Sequence, residues 1–144
     1  MLLQIDNLST WITTETEEGL SRRRILRDVS LSIGRGETCA LVGESGSGKS
    51  VTALSILRLL EETCDSENSG RILFEDRDLL TLARDEIRTV RGNRISMIFQ
   101  EPMTSLNPVY PIGSQLIEPL LLHRSMTRQE ADREAIRLLS RTGI

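Results

Sequence analysis

The stretch GESGSGKS at residues 43–50 decides the fold that this sequence predicts, because it matches the pattern GxxxxGK[ST]. Its glycines permit backbone angles that are barred to other residues, so the main chain can approach phosphate groups closely. Successive amide groups then form a concavity for an anion, and the helix that follows adds its positive N-terminal end. In this pattern Lys49 reaches the β- and γ-phosphates, and the Ser50 hydroxyl binds Mg²⁺. The loop therefore predicts a site for a nucleoside triphosphate with Mg²⁺.

The segments around this loop have the periodicity of strands and a helix. Residues 38–42 form a short continuous apolar run, which is typical of a central strand covered on both faces, and we expect Cys39 to be buried there. Residues 51–60 place apolar side chains at helical spacing. Nearer the N-terminus, residues 2–12 and 25–33 alternate between apolar and polar, which predicts two strands joined by a polar hairpin loop.

The second half of the chain alternates predicted strands with predicted helices. Residues 71–75 and 95–99 are predicted strands, and the acidic and polar residues 61–69 are predicted to form a surface loop. Helical spacing predicts helices over residues 85–90 and 112–122. A third helix is predicted to begin at a capping box formed by Thr127 and Glu130 and to end at a C-terminal cap at Gly143.

The composition is that of a globular protein. The 144 residues carry a formal net charge of -3, with 38% hydrophobic and 27% charged residues, which suits one domain or part of one. Because acidic residues outnumber basic ones, we expect no nucleic acid among its partners. No apolar run approaches the ~18–20 residues of a membrane span, and the N-terminus lacks the pattern of a secretory signal.

Three runs of sequence resemble the nucleotide-binding subunits of ABC transporters. They are IGRGETCALVGESGSGKS at residues 33–50, ISMIFQEP at residues 95–102 and MTSLNP at residues 103–108. The second run is similar to the Q-loop of that family, a strand that ends in Gln100. The third is similar to the branch that imports dipeptides, oligopeptides and nickel, with most similarity to glutathione and dipeptide importer ATPases. The resemblance covers essentially the whole chain.

The resemblance implies an α/β fold that is truncated. Its core is a RecA-like P-loop NTPase, with an N-terminal antiparallel β subdomain and the start of a helical subdomain. It assigns residues 1–99 to the β subdomain and the core, and residues 100–144 to the Q-loop and the start of the helical subdomain.

The resemblance also implies an ATP and Mg²⁺ site. Lys49 and Gln100 would take part in catalysis, and Ser50 and Gln100 would bind Mg²⁺. Many family members have Thr at the position of Val51, where a main-chain contact survives the change. The residues assigned to ATP are Gly43, Glu44, Ser45, Gly46, Ser47, Gly48, Lys49, Ser50, Val51 and Trp11.

Trp11 is assigned to adenine because the family usually stacks an aromatic residue of the first hairpin on the base. It is the only aromatic residue nearby. The register, however, places the usual aromatic at Ile12, on the opposite face of the strand. The alternative role for Trp11 is a partly exposed packing residue, and the sequence leaves both open.

The partners implied by the resemblance are the membrane-spanning permease subunits of an importer and a second ATPase subunit, identical or homologous. Residues 106–115 would lie near the surface that receives a permease helix. The implied location is peripheral, on the cytoplasmic face of the inner membrane. The function implied is coupling of ATP binding and hydrolysis to the uptake of dipeptides, oligopeptides or a similar small solute.

Several family motifs are missing from the sequence. The sequence contains no apolar strand ending in Asp-Glu, no LSGGQ-type signature and no switch histidine. Its one histidine, His123, precedes the place where the signature would lie. We therefore expect an N-terminal piece of such a subunit, inactive in hydrolysis and of marginal stability alone. Two alternatives stay open: a module that binds ATP without hydrolysing it, and a small P-loop kinase, for which residues 100–111 have no obvious place.

Overall fold

The computed structural model describes residues 1–17, 19–99 and 105–144. Strands β1 (Leu3–Thr16) and β2 (Gly19–Ile33) form a long antiparallel hairpin. The two predicted strands are confirmed, but both extend into the predicted hairpin loop, where polar pairs such as Thr13 with Arg22 continue the ladder. Polar side chains suit a hairpin whose faces are exposed, so the loss of apolar alternation does not end the strands.

A third and a fourth strand complete the sheet. The order in the four-stranded antiparallel sheet is β2, β1, β3 (Asp65–Phe74) and β4 (Arg77–Asp78). The loop predicted for residues 61–69 is wrong over residues 65–69, because β3 already begins at Asp65 and pairs with β1 from there on. The polar start of β3 lies opposite the polar half of β1, and cross-strand pairing compensates for its weak strand propensity.

The core of the first part of the chain lies against this sheet. Contacts divide the chain into two compact units, Met1–Ile87 and Arg88–Ile144. The boundary predicted between residues 99 and 100 stays a prediction. In the first unit, helix α1 (Lys49–Ile56) and a 3₁₀ turn (Leu60–Glu62) follow the hairpin. The buried apolar side chains of this unit are Ile5, Leu8, Leu26, Leu57, Leu60, Ile72, Phe74, Leu79 and Ile87.

The strand predicted for residues 38–42 is wrong, and so is the burial of Cys39. These residues have no strand conformation, Cys39 is exposed, and Val42 is 88% exposed. The same holds for residues 96–99, where Ile98 is 94% exposed. Apolar runs of this kind form strands in the interior of a parallel sheet, where neighbours on both sides supply hydrogen bonds. In the described ranges neither segment has such a neighbour, and only the isolated bridge between Arg91 and Ile95 is parallel.

The second unit contains a pair of helices packed on each other. Helix α2 (Arg84–Val90) leads into it, and α3 (Ile112–His123) packs on α4 (Arg128–Arg141), so the predicted helices are confirmed. Their shared core is formed by Ile117, Ala131 and Ala135, with Leu116, Leu120 and Met126 packed around them. None of the helices in the described ranges is long and apolar enough to cross a membrane.

Both ends of α4 are capped as the sequence predicts. The Thr127 hydroxyl accepts from the Glu130 amide, and the Glu130 carboxylate accepts from the Thr127 amide at 2.7 Å. At the other end Gly143 has φ of +85°. The amides of Gly143 and Ile144 donate to the carbonyls of Ser140 and Leu139, the Schellman pattern that closes a helix.

Candidate functional site

The glycine-rich loop at residues 43–50 leads into α1. Gly46 and Gly48 have φ of +79° and +92°, the left-handed region that favours glycine. A Cβ on Gly48 would lie 2.6 Å from Cδ2 of the buried Leu26, and a Cβ on Gly43 would lie 2.6 Å from Oγ of Ser47. The loop therefore packs directly on β2 and on itself, and its backbone conformation favours glycine at positions 46 and 48.

The side chain of Lys49 folds back into this loop. Its ammonium group donates hydrogen bonds to the carbonyl oxygens of Gly43 at 2.8 Å and Glu44 at 2.7 Å, and to Oγ of Ser47 at 3.2 Å. Lys49 is the only lysine of the sequence. A cation held at the centre of a loop is placed to form charge-assisted hydrogen bonds with an anion that enters it.

The start of α1 adds amide donors to the loop. The first amide that donates along the helix is that of Thr52, which bonds to the carbonyl of Gly48 at 2.8 Å. The amides of Lys49, Ser50 and Val51 precede it, and helix geometry gives them no acceptor within the helix. They carry the positive end of the helix dipole, which attracts anions.

An open cavity of about 420 Å³ lies beside the loop, within the size range of small-molecule sites. The structure brings Gly46, Gly48, Lys49, Ser50 and Val51 of the sequence-predicted set to it. The residues of β2 that border it are Arg23, Arg24 and Ile25. Together, these features fit the phosphates of a nucleotide: the glycine-rich loop, the Lys49 ammonium group, the amide donors of α1 and the cavity.

Buried hydroxyl groups fix α1 against the sheet. Oγ1 of Thr10 lies 3.2 Å from Oγ of Ser55 and donates to Oδ1 of Asn68 at 2.7 Å. Thr10 and Ser55 are both fully buried. This network holds the helix that begins at the loop, so it positions the loop. The sequence does not predict this network, because a polar residue in a helix or a strand does not reveal a partner that lies 45 positions away.

The C-terminal end of α1 has a second anchor. Arg58 donates to both carboxylate oxygens of Glu61, at 2.9 and 2.8 Å, and to the carbonyl of Leu82 at 2.7 Å. The hydrogen bond with Glu61 raises the pKa of Arg58 above its ordinary value, although burial acts in the opposite direction. Arg58 therefore stays charged and ties the end of α1 to the chain after β4.

Two other predicted site residues have different outcomes. Trp11 is half-buried beside Arg22 and Arg24, whose guanidinium carbons lie 5.2 Å from its ring centroid. It is not among the residues that border the cavity. Its role at adenine stays a prediction. Gln100 lies outside the described residues, so its predicted roles in catalysis and Mg²⁺ binding stay predictions too.

Comparisons with known proteins point to one family. The family model described as ABC transporter matches residues 26–144. The oligopeptide transport ATP-binding protein AppD of Bacillus subtilis (strain 168) is 44% identical, with 99% of this chain and 42% of AppD covered. The glutathione import ATP-binding protein GsiA of Pectobacterium atrosepticum is 45% identical, with 96% of this chain and 22% of GsiA covered. The chain spans less than half the length of the curated relatives it matches.

A solved structure has the same fold. It is the dimeric, post-hydrolysis state of the ATP-binding cassette MJ0796 bound to ADP and Pi, with a TM-score of 0.69 and 24% identity. The similarity covers 96% of this chain and 56% of that chain. It confirms the fold class that the sequence predicts.

Proposed function

Since the chain belongs to the ABC transporter family, we propose that it binds ATP as the ATP-binding subunit of an importer. In this proposal ATP binding and hydrolysis drive the uptake of dipeptides, oligopeptides or a similar small solute. The observation that carries the proposal is the Lys49 ammonium group held inside a glycine-rich loop beside an open cavity. The names of AppD and GsiA, which refer to oligopeptide transport and glutathione import, support the class of solute.

The residues of the loop divide the binding of the triphosphate between them. The backbone amides of Lys49, Ser50 and Val51 donate to phosphate oxygens, which is why a Val in place of Thr at position 51 costs no contact. Lys49 exchanges its bonds with the carbonyls of Gly43 and Glu44 for stronger, charge-assisted bonds to the β- and γ-phosphates.

Mg²⁺ binding is assigned to the first turn of α1. Ser50 is exposed there, next to Lys49, and its hydroxyl oxygen would hold the ion. Gln100 would complete the metal sphere and contribute to catalysis. Bound ATP would supply the phosphoanhydride bond that is hydrolysed, and Mg²⁺ would neutralise part of the phosphate charge. The protein holds the phosphates in place and keeps a cation beside the γ-phosphate.

The proposed partners are those of an importer. Permease subunits in the membrane and a second ATPase subunit, identical or homologous, would complete the assembly, with this chain peripheral on the cytoplasmic face of the inner membrane. Closure of the two ATPase subunits on ATP would shift the permease between its states, because ATP binds the closed pair more tightly.

The test is ATP binding by the chain and by two variants, with ATP turnover followed in the assembled importer complex. Lys49→Ala should reduce both ATP binding and turnover by at least tenfold, because it removes charge-assisted hydrogen bonds of about 1.5–3 kcal/mol. Arg27→Ala removes an exposed cation of β2 that does not border the cavity, and it should leave both unchanged. ATP binding without turnover in the assembled complex would favour the non-hydrolysing module, and unchanged ATP affinity in Lys49→Ala would refute the proposed site.

A further inference from the structure

The two faces of the hairpin have different surroundings beside the loop. Thr10 points to α1, since its hydroxyl contacts Ser55. Side chains alternate along a strand, so Trp11 lies on the opposite face, where it meets Arg24. Ile12 returns to the face of Thr10. Its cross-strand partner is Arg23, and paired residues share a face. Arg23 therefore lies on the side of the sheet that carries α1 and the loop.

The three consecutive arginines of β2 differ in what they bind. Arg22 forms an ion pair with Glu67. Arg24 donates to Asp28 at 2.7 Å and to Oγ of Ser9 at 2.5 Å. Arg23 is exposed and has no hydrogen bond or ion pair to any residue in the described ranges. It borders the cavity, and no residue in the described ranges binds its guanidinium group.

Arg23 lies beyond the phosphate-binding part of the cavity. The position of a Cβ on Gly48 would be 3.8 Å from the carbonyl oxygen of Ile25, so the loop touches β2 at that residue. Arg23 is two residues further along the strand, about 7 Å at the usual rise. Arg23 borders the same cavity as Lys49, so with the phosphates held at Lys49 it is placed to meet the remainder of a nucleotide, and Ile12 is its cross-strand neighbour.

We propose that the guanidinium group of Arg23 stacks on the base of the bound nucleotide, with Ile12 as its apolar neighbour. The proposal rests on the proposed ATP site. A guanidinium group is planar, weakly hydrated and attracted to aromatic faces, so it can cover a purine much as an aromatic side chain does. On the other face of the hairpin, Trp11 already has Arg22 and Arg24 against its ring.

The experiment compares two ligands that share phosphates but not the base. Calorimetric titrations of the full chain with Mg²⁺·ATP and with Mg²⁺·tripolyphosphate are made for the wild type, Arg23→Ala, Arg23→Lys and Arg27→Ala. Arg23→Ala should weaken ATP binding about two- to fivefold, the range of a cation–π contact at an exposed site, and should leave tripolyphosphate affinity unchanged. Arg23→Lys keeps the charge without the plane and should lose most of the same affinity. Arg27→Ala should match the wild type for both ligands.

Three results would overturn the proposal. Equal losses for ATP and tripolyphosphate in Arg23→Ala would make Arg23 a phosphate contact. Full ATP affinity in Arg23→Lys would show that charge alone is needed. Unchanged ATP affinity in Arg23→Ala would show no contact at all. Lys49→Ala, titrated in parallel, separates these from failure of the ATP site itself, because it should weaken both ligands. The variant Trp11→Ala tests the predicted role of Trp11 in the same titration.

Discussion

The packing of Gly48 on Leu26 allows a quantitative test of how the loop is held. Gly48 has φ of +92°, and a Cβ there would lie 2.6 Å from Cδ2 of Leu26. Leu26 is only 3% exposed, so its side chain has little room to move. The replacement Gly48→Ala therefore has two costs, backbone strain and overpacking of a buried leucine.

Control replacements separate these two costs. Gly36 and Gly46 also have positive φ, +72° and +79°, but a Cβ on either would meet nothing within 4 Å. Alanine in the left-handed region costs about 1–2 kcal/mol, and this term is common to all three positions. Overpacking a close-packed site adds typically about 1–3 kcal/mol. Gly48→Ala should therefore lower the free energy of unfolding by about 1–3 kcal/mol more than Gly36→Ala does.

The assay is urea unfolding of the full chain followed by circular dichroism, in a double-mutant cycle with Leu26→Ala. Removing the leucine side chain removes the clash, so in that background Gly48→Ala should cost no more than Gly36→Ala. Equal costs for Gly48→Ala and Gly36→Ala in the wild-type background would refute the packing argument. An excess cost that persists with Leu26→Ala would refute it as well.

Three further predictions concern the scaffold around the site. Gly70→Ala should destabilise the protein more than Gly48→Ala. A Cβ at Gly70, where φ is +94°, would lie 2.5 Å from backbone carbonyl oxygens of β1, which cannot rotate away. A smaller loss of unfolding free energy for Gly70→Ala than for Gly48→Ala in urea would contradict this. Thr10→Val should cost about 1–3 kcal/mol in the same assay, because Asn68 loses its buried donor; an unchanged midpoint would show that this hydrogen bond does not stabilise the fold. Hydrogen bonds from Thr127 lower the pKa of Glu130. The Glu130 carboxylate therefore stabilises α4 fully at a pH above the ordinary Glu pKa of about 4.3, and this stabilisation is lost as the pH falls through the lowered pKa. Thermal melts of the wild type and Glu130→Gln should therefore differ at neutral pH and converge in acid, and a difference that does not depend on pH would contradict the assignment.

Local sequence signals predicted the parts of the structure that local interactions form. The shape of the loop at residues 43–50 comes from glycine conformations and from the bonds of Lys49 to Gly43 and Glu44, although its packing on Leu26 of β2 is a distant contact. The capping box of Thr127 and Glu130 and the cap at Gly143 are likewise contacts between near neighbours. Such features can be read from the sequence because their partners lie a few residues away.

Features that depend on distant partners were predicted less well. The strand start at Asp65 is supported by pairing with β1, which overrides its polar composition. Residues 38–42 have the composition of an interior strand, yet an interior strand needs neighbours on both sides, and the described residues supply none. The contact between Thr10 and Ser55 joins positions 45 apart, and the pairing of Trp11 with Arg24 depends on a register shift after Thr10. The periodicity of the sequence predicts neither this contact nor this register shift.

The most direct test of the central claim measures the reactivity of the Lys49 amino group. The full chain is treated with an amine-reactive reagent, and modification of Lys49 is followed by mass spectrometry with Mg²⁺·ATP, with AMP, or with no nucleotide. If residues 43–50 hold the β- and γ-phosphates, ATP should protect Lys49 strongly, and AMP, which lacks those phosphates, should not. An equal rate of modification with and without ATP would contradict the claim that this loop binds a nucleoside triphosphate.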